Sequence, residues 1–269
     1  MALFFRESPG FSENVRKTGF DRYRQLMSFY ALRWIKVNLL TVAGALPLAA
    51  AIWFSVAASS VVVLIPASLA GGMILGPFLA GMYDSVMRGL RDAPGRWWEH
   101  YKKSWRHNWK QSLLPGAIVG LLTGMFVFML YMIWVSELFP GWGTLLLYLF
   151  SAVLFLWVNT LYWPQLVLFE QTAAQRLRNA VLFTVRHFGR VLGAVLLKLG
   201  YIALLALFMP WTLILVPFLG FWFILFVTEL RLYDDLNEDL QIEAQYIPLE
   251  GDPWRVSPLD APPSDDTEP

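Results

Sequence analysis

The chain contains no cysteine, which excludes disulfides, thiolate metal ligands and a thiol nucleophile. Charge is scarce: Asp, Glu, Lys and Arg together make up 15% of the residues. There is no G-x-x-x-x-G-K-[ST] phosphate loop and no G-x-G-x-x-G dinucleotide fingerprint, so the chain shows no ATP or NAD site of its own. No serine stands in a G-x-S-x-G elbow. The histidines His100, His107 and His187 form no H-E-x-x-H pair, and no metal site is expected. These absences leave no constellation for catalysis, and a protein that is neither an enzyme nor a cofactor carrier is expected. Nucleic-acid binding is also excluded as the purpose of the basic-aromatic segments, because they alternate with membrane spans.

What the chain does have is apolar length. Hydrophobic residues make up 57% of it, against about 45–50% in soluble domains. Residues 37–83 contain no charged residue, and a bilayer core takes about 20 helical residues, so this stretch is two spans with a turn near residues 57–60. Continuing in this way, six spans are expected at about 37–56, 61–83, 113–135, 144–169, 191–209 and 211–228. The second contains Pro66, Gly71, Gly72, Gly76 and Pro77, and a kinked helix is expected there. The break in the last hairpin falls at Met209–Pro210–Trp211.

The 21 Lys and Arg residues are distributed asymmetrically. Seven precede the first span, seven lie between residues 84 and 112, and four between 170 and 190. The three alternate connections carry none. Basic loops stay in the cytoplasm, so both termini are placed there, in the bacterial cytoplasmic (inner) membrane. Residues 1–11 lack the apolar run and cleavage site of a signal peptide, and the first span is expected to act as an uncleaved signal. The expected class is therefore an all-α, polytopic transmembrane helical bundle of six spans.

Three amphipathic segments flank the spans. Residues 11–36 place Phe20, Tyr23, Met27, Tyr30 and Trp34 at helical spacing among basic residues. In residues 97–111, Trp97, Tyr101, Trp105 and Trp109 share one helical face, with Lys110 among the basic residues beside them. These five are expected to anchor a helix in the headgroup layer. Residues 172–188 put Leu177, Val181, Thr184 and Phe188 on one side. Glu137, in the connection between the third and fourth spans, is expected to face outer water. The last part of the chain, 230–269, is acidic and proline-rich and is expected to be a disordered cytoplasmic tail. The order of amphipathic helix and then hairpin recurs three times, a pattern that basic anchoring of every cytoplasmic loop would itself produce.

Few polar residues fall inside the spans. Lys198 is the only charge placed well within one, and intramembrane ionisable residues are functional candidates by default. Two placements are open: its stem can carry the ammonium to the interface, or it is buried with Asp84, at the inner end of span two, as partner. Asp84 can also pair with Arg88, four residues on. Asn159 in span four is expected to act as hydrogen-bonding glue between helices. Gly116, Gly120 and Gly124, with Gly72, Gly76 and Ala80, form two ridges of small residues suited to close helix contact, within the bundle or across a homo-oligomer seam.

One segment also resembles a known family. Gly76–Pro77, then Gly81–Met82–Tyr83, then Ser104–Trp105–Arg106–His107–Asn108–Trp109–Lys110–Gln111 is similar to the Gly-Pro…Gly-Leu-Tyr stretch and Ser-Phe-Lys-x-Asn-Phe-Lys-Gln run of the YesL-like bacterial membrane proteins. Tryptophan stands here where phenylalanine is usual. Asn38–Leu39–Leu40 and Leu46–Pro47 fit its first span, and residues 164–193 fit more loosely. The likeness covers roughly residues 20–230. It implies a non-catalytic accessory or regulatory component of carbohydrate uptake, working with the subunits of an ABC-type importer. The alternative is a small secondary transporter whose path is lined by the second span and Lys198. The topology has a direct consequence: reagents that cannot cross lipid should leave residues 97–111 unmodified in intact cells, and ready modification from outside would overturn it.

Overall fold

The computed structural model describes residues 17–93, 96–136 and 139–243. Residues 11–16 of the first amphipathic segment, Glu137 and residues 244–269 of the acidic tail lie outside the described residues. No strand occurs among the described residues. The helices are α1 (Gly19–Ala57), α2 (Val61–Leu90), α3 (Trp97–Ser136), α4 (Trp142–Leu168), α5 (Ala173–Arg186), α6 (Phe188–Leu207), a 3-10 turn (Trp211–Ile214), α7 (Val216–Leu219) and α8 (Trp222–Leu240). Six segments are long and apolar enough to cross a membrane: α1, α2, α3, α4, α6, and α7 with α8 together. The protein is an all-α, multi-pass membrane bundle.

Two sequence expectations change. The run 97–111 is not a separate helix lying on the surface. It is the first part of α3, a single helix of 40 residues, about 60 Å long at 1.5 Å per residue. Likewise α1 has 39 residues and joins the first amphipathic segment to the first span without a break. Pro115 removes one backbone hydrogen bond just past the α3 junction, yet the helix begun in the amphipathic part continues into the apolar part in both α1 and α3. Only the third unit breaks: α5 ends at Arg186 and α6 begins at Phe188. A Thr172 side chain that accepts from Gln175 N, with Gln175 reaching back to Thr172 N, starts α5 independently. The second change concerns the tail. Residues 229–240 belong to α8 and pack against the bundle, so the expected disordered tail does not begin at 230.

The end of the bundle that carries the amphipathic segments, here called the basic end, holds the best-packed core. Leu26, Trp34, Met82, Met87, Leu90, Phe226 and Leu232 are all essentially inaccessible there. Trp34 packs at a tilt against Trp222 and Phe226, at ring-centroid distances of 5.5 and 4.6 Å. Toward the other end the helices expose large side chains such as Val62, Trp134, Trp142, Leu207 and Trp211. Such surface suits lipid, with which apolar side chains need not avoid contact.

Helices α2 and α3 hold the bundle together by direct backbone contact. A methyl group built on Gly72 would lie 2.7 Å from Gly120 Cα and inside the carbonyl of Gly116. One built on Gly116 would lie 2.7 Å from Gly76 Cα. Gly120 and Gly124 face Ser68 in the same way, and Gly81 leaves room for the Tyr101 ring. The two small-residue ridges therefore face each other within one chain. Pro66 and Pro77 lie inside one continuous α2.

Gly116→Leu and Gly120→Leu should each cost about 3 kcal/mol or more, because a backbone cannot yield as a side chain can. Gly200→Leu, where nothing lies within 4 Å of the added carbon, should be tolerated. Thermal unfolding of detergent-purified protein, followed by size-exclusion, separates the two outcomes.

Candidate functional site

Four helices converge on one buried polar cluster inside the bundle. From α6 comes Lys198, from α8 Glu229, from α2 Tyr83, and from α4 Asn159 and Trp163. Lys198 Nζ stands 3.6 Å from Glu229 Oε1, with the lysine side chain 8% exposed and the glutamate 0%. The ammonium does not reach the surface. Nor does it pair with Asp84, which is bonded to Arg88 Nε at 3.0 Å within α2. Neither of the two placements open from the sequence, the interface or a pair with Asp84, is adopted; the partner is Glu229.

The pair is loosely made. A charge-assisted N–H···O bond usually measures about 2.7–2.9 Å. Among the described residues, neither oxygen of Glu229 nor the Lys198 nitrogen has a hydrogen-bond partner. The further contact of the ammonium is the face of Tyr83, 5.9 Å from the ring centroid, where the ring quadrupole attracts a cation. Tyr83 stacks on Trp163 at 5.9 Å and donates its hydroxyl to the Asn159 carbonyl at 3.3 Å. Trp163 Nε1 donates to Asn159 Oδ1 at 2.9 Å. Asn159 thus holds the aromatic wall in place and does not touch the ion pair through a hydrogen bond.

Between this pair and the basic end, α6 and α8 carry further pairs. Arg190 is bonded to Asp235, and Arg186 to Asp239 and, at 3.1 Å, to Glu238. The His187 ring lies between two carboxylates, Nε2 3.0 Å from Asp239 Oδ2 and Nδ1 3.7 Å from Asp235 Oδ1. Acid and base therefore alternate from the protein surface inward along one helix seam.

The span that supplies the acidic side of this seam is discontinuous. Between α7 and α8 the helical ladder is interrupted at Gly220 and Phe221, and Asn38 of α1 fills the gap. Its amide donates to the carbonyls of Val216 and Pro217 at 2.8 and 2.7 Å. Its carbonyl accepts from Phe221 N at 2.8 Å and Trp222 N at 3.3 Å. One fully buried side chain meets the backbone demand that a break inside lipid creates.

The aromatic anchors divide. Trp97 and Tyr101 are buried in the core, Trp105 packs edge-on against Phe78 at 6.2 Å, and Trp109 and Lys110 are exposed with the ammonium over the indole. On α5 the buried face is Arg176, Ala180 and Phe183, while Leu177 and Val181 point outward, as does Phe188 at the start of α6.

Glu229 is the residue sequence reasoning missed. It reads there as the first acid of a polar tail. Yet Trp222, Leu225, Phe226, Leu232, Tyr233 and Leu236 are buried with it, at spacings of three and four. That stripe carries the helix past Glu229 and places the carboxylate on its inward face.

Comparison with protein-family models, curated proteins and solved structures finds no match.

Lys198→Met or Glu229→Gln alone should destabilise the protein by about 3–5 kcal/mol by stranding one buried charge. The double variant Lys198→Met/Glu229→Leu should recover most of that loss. Melting temperatures in detergent test this, and two single variants as stable as the parent would show that the charges are not paired in the core.

Proposed function

We propose that this protein is a small secondary carrier of the bacterial inner membrane, with Lys198 and Glu229 as the element that opens and closes its path. The carrying observation is the under-satisfied ion pair. Taking two charges out of water costs several kcal/mol each unless geometry and additional hydrogen bonds compensate. Here the charges are 3.6 Å apart and lack other hydrogen bonds, so a third partner has places to bind. A proton on Glu229, or a small solute bridging carboxylate and ammonium, completes the coordination and weakens the hold of α6 on α8. The broken α7–α8 span supports the same reading, since interrupted helices near the binding level are a recurrent carrier device. The surface pairs at Arg186, His187 and Arg190 then close the route toward the cytoplasm.

A second role follows from the basic ends of α1 and α3. Both helices are about twice as long as the hydrocarbon layer of about 30 Å requires and present exposed Arg24, Lys102 and Arg106. That platform suits contact with soluble or membrane subunits of a carbohydrate ABC-type importer, the role that the YesL-like resemblance implies. Co-purification of such subunits from native membranes tests it.

For the carrier, the test is a pH-gradient assay in proteoliposomes with a trapped fluorescent pH indicator. The parent protein should accelerate collapse of the gradient, and the folded Lys198→Met/Glu229→Leu variant should not. Equal rates for both would assign the pair a purely architectural role.

A further inference from the structure

Helices α3 and α4 diverge, and the space between them faces outward as a cleft. The two helices touch at Phe126, which meets Tyr148 at 5.1 Å and Phe155 at 5.8 Å between ring centroids. On the basic side of this contact lies a cavity of about 470 Å³, walled by Leu114, Ile118 and Leu122 of α3 and by Leu154 and Val158 of α4. Tyr162 together with Ala173 and Leu177 of α5 closes its basic end. From Leu114 to Phe126 the cleft is about 18 Å long at 1.5 Å per residue. That is close to half of the hydrocarbon thickness of about 30 Å, the depth of one leaflet.

An unusual cation stands behind the closed end. Arg176 is 3% exposed, and a guanidinium is always charged. Its partners are neutral: Gln111 Oε1 at 2.6 Å, the Tyr162 hydroxyl at 3.5 Å, and the Tyr162 ring at 5.6 Å from its centroid. Its Nε is buried with no hydrogen-bond partner. A buried charge is ordinarily matched by one of opposite sign. The nearby carboxylate Glu170 is 83% exposed and turned to His107 at 3.9 Å.

Gln111 completes the arrangement. It is exposed, and with its carbonyl taken by Arg176 its amide N–H groups are left to donate outward. Lys110 beside it is also exposed. The two residues sit one helical turn before Pro115 and Leu114, which line the cavity. A cationic and hydrogen-bond-donating mouth therefore adjoins an apolar slot one leaflet deep.

We infer that this cleft is a specific site for one anionic phospholipid. An acyl chain lies between α3 and α4, and the phosphate is held by Lys110 and the Gln111 amide, in the field of Arg176. Slot length suits an acyl chain, and charge complementarity selects a net anionic headgroup, because a zwitterionic one brings its own cation beside Lys110 and Arg176 and cancels the charge they would meet. The cavity shares Asn159 and Trp163 with the aromatic wall beside the Lys198–Glu229 pair, but binding of a lipid there does not depend on the role of that pair.

Native mass spectrometry of the full chain, delipidated and titrated with phosphatidylglycerol or phosphatidylcholine, tests the inference. One phosphatidylglycerol should be retained in preference to phosphatidylcholine. Lys110→Gln, at an exposed position, should weaken that retention about fivefold, the worth of about 1 kcal/mol per basic residue at a membrane surface. Arg176→Gln should weaken it further if it folds. Ile118→Trp should fill the slot and abolish it. Equal retention of the two lipids would overturn the proposal. So would retention unchanged in Ile118→Trp, a preference for free fatty acid, or a change from dimer to monomer in Ile118→Trp, which would make a second copy the occupant.

Discussion

Between Ser68 and Ala80, α2 has almost no side chain to hold α3 away, and α3 answers with Gly116, Gly120 and Gly124. The two backbones meet, and everything else in the bundle is arranged around that contact. In lipid there is no hydrophobic force to drive helix against helix, so association falls to close packing and interhelical hydrogen bonds. With α2 and α3 locked, α1 can lay Trp34 and Tyr30 along the other side of α2. The part of α2 beyond the glycine ridge can then deliver Tyr83, Asp84 and Arg88 into a dense core.

That core accounts for where charge can be kept. Most buried ionisable side chains lie toward the basic end, each with a neighbour that suits it: Asp84 with Arg88, Arg22 with Asp92 at 2.7 Å, Asp235 with Arg190. Three side chains, at two places, depart from this rule. Lys198 and Glu229 face each other without supporting hydrogen bonds, and Arg176 has only neutral partners. A buried charge without a charged or hydrogen-bonding neighbour costs more than a neutral polar group in the same place, and that cost is what the roles proposed for these two places rest on.

The seam between α6 and α8 connects these observations. Arg190 lies eight residues before Lys198, and Asp235 six residues after Glu229. Antiparallel packing therefore stacks a surface pair and a buried pair on the same face. Changing protonation or ligation at the buried pair alters a contact between two spans, one of which is already interrupted at Gly220 and Phe221. This mechanical arrangement, more than any single residue, favours a moving part over a static scaffold.

Much of the architecture was legible from residue order alone, because long charge-free runs have no other use and basic residues were confined to alternate connections. Six spans, the break near Pro210 and the amphipathic segments followed directly. Whether an amphipathic segment bends onto the surface or continues as one rod was not legible, because both present the same periodicity. The partner of Lys198 was not legible either. An acid at the start of an acidic stretch looks solvated, and only the packing of Leu232, Tyr233 and Leu236 carries the helix on and turns Glu229 inward. Composition and spacing determined that this chain lives in a bilayer and how many times it can cross, since both rest on local hydropathy. Which charges meet, which stay unmatched and where a lipid-deep cleft opens were decided by tertiary structure, because they depend on the rotation and separation of helices far apart in the chain.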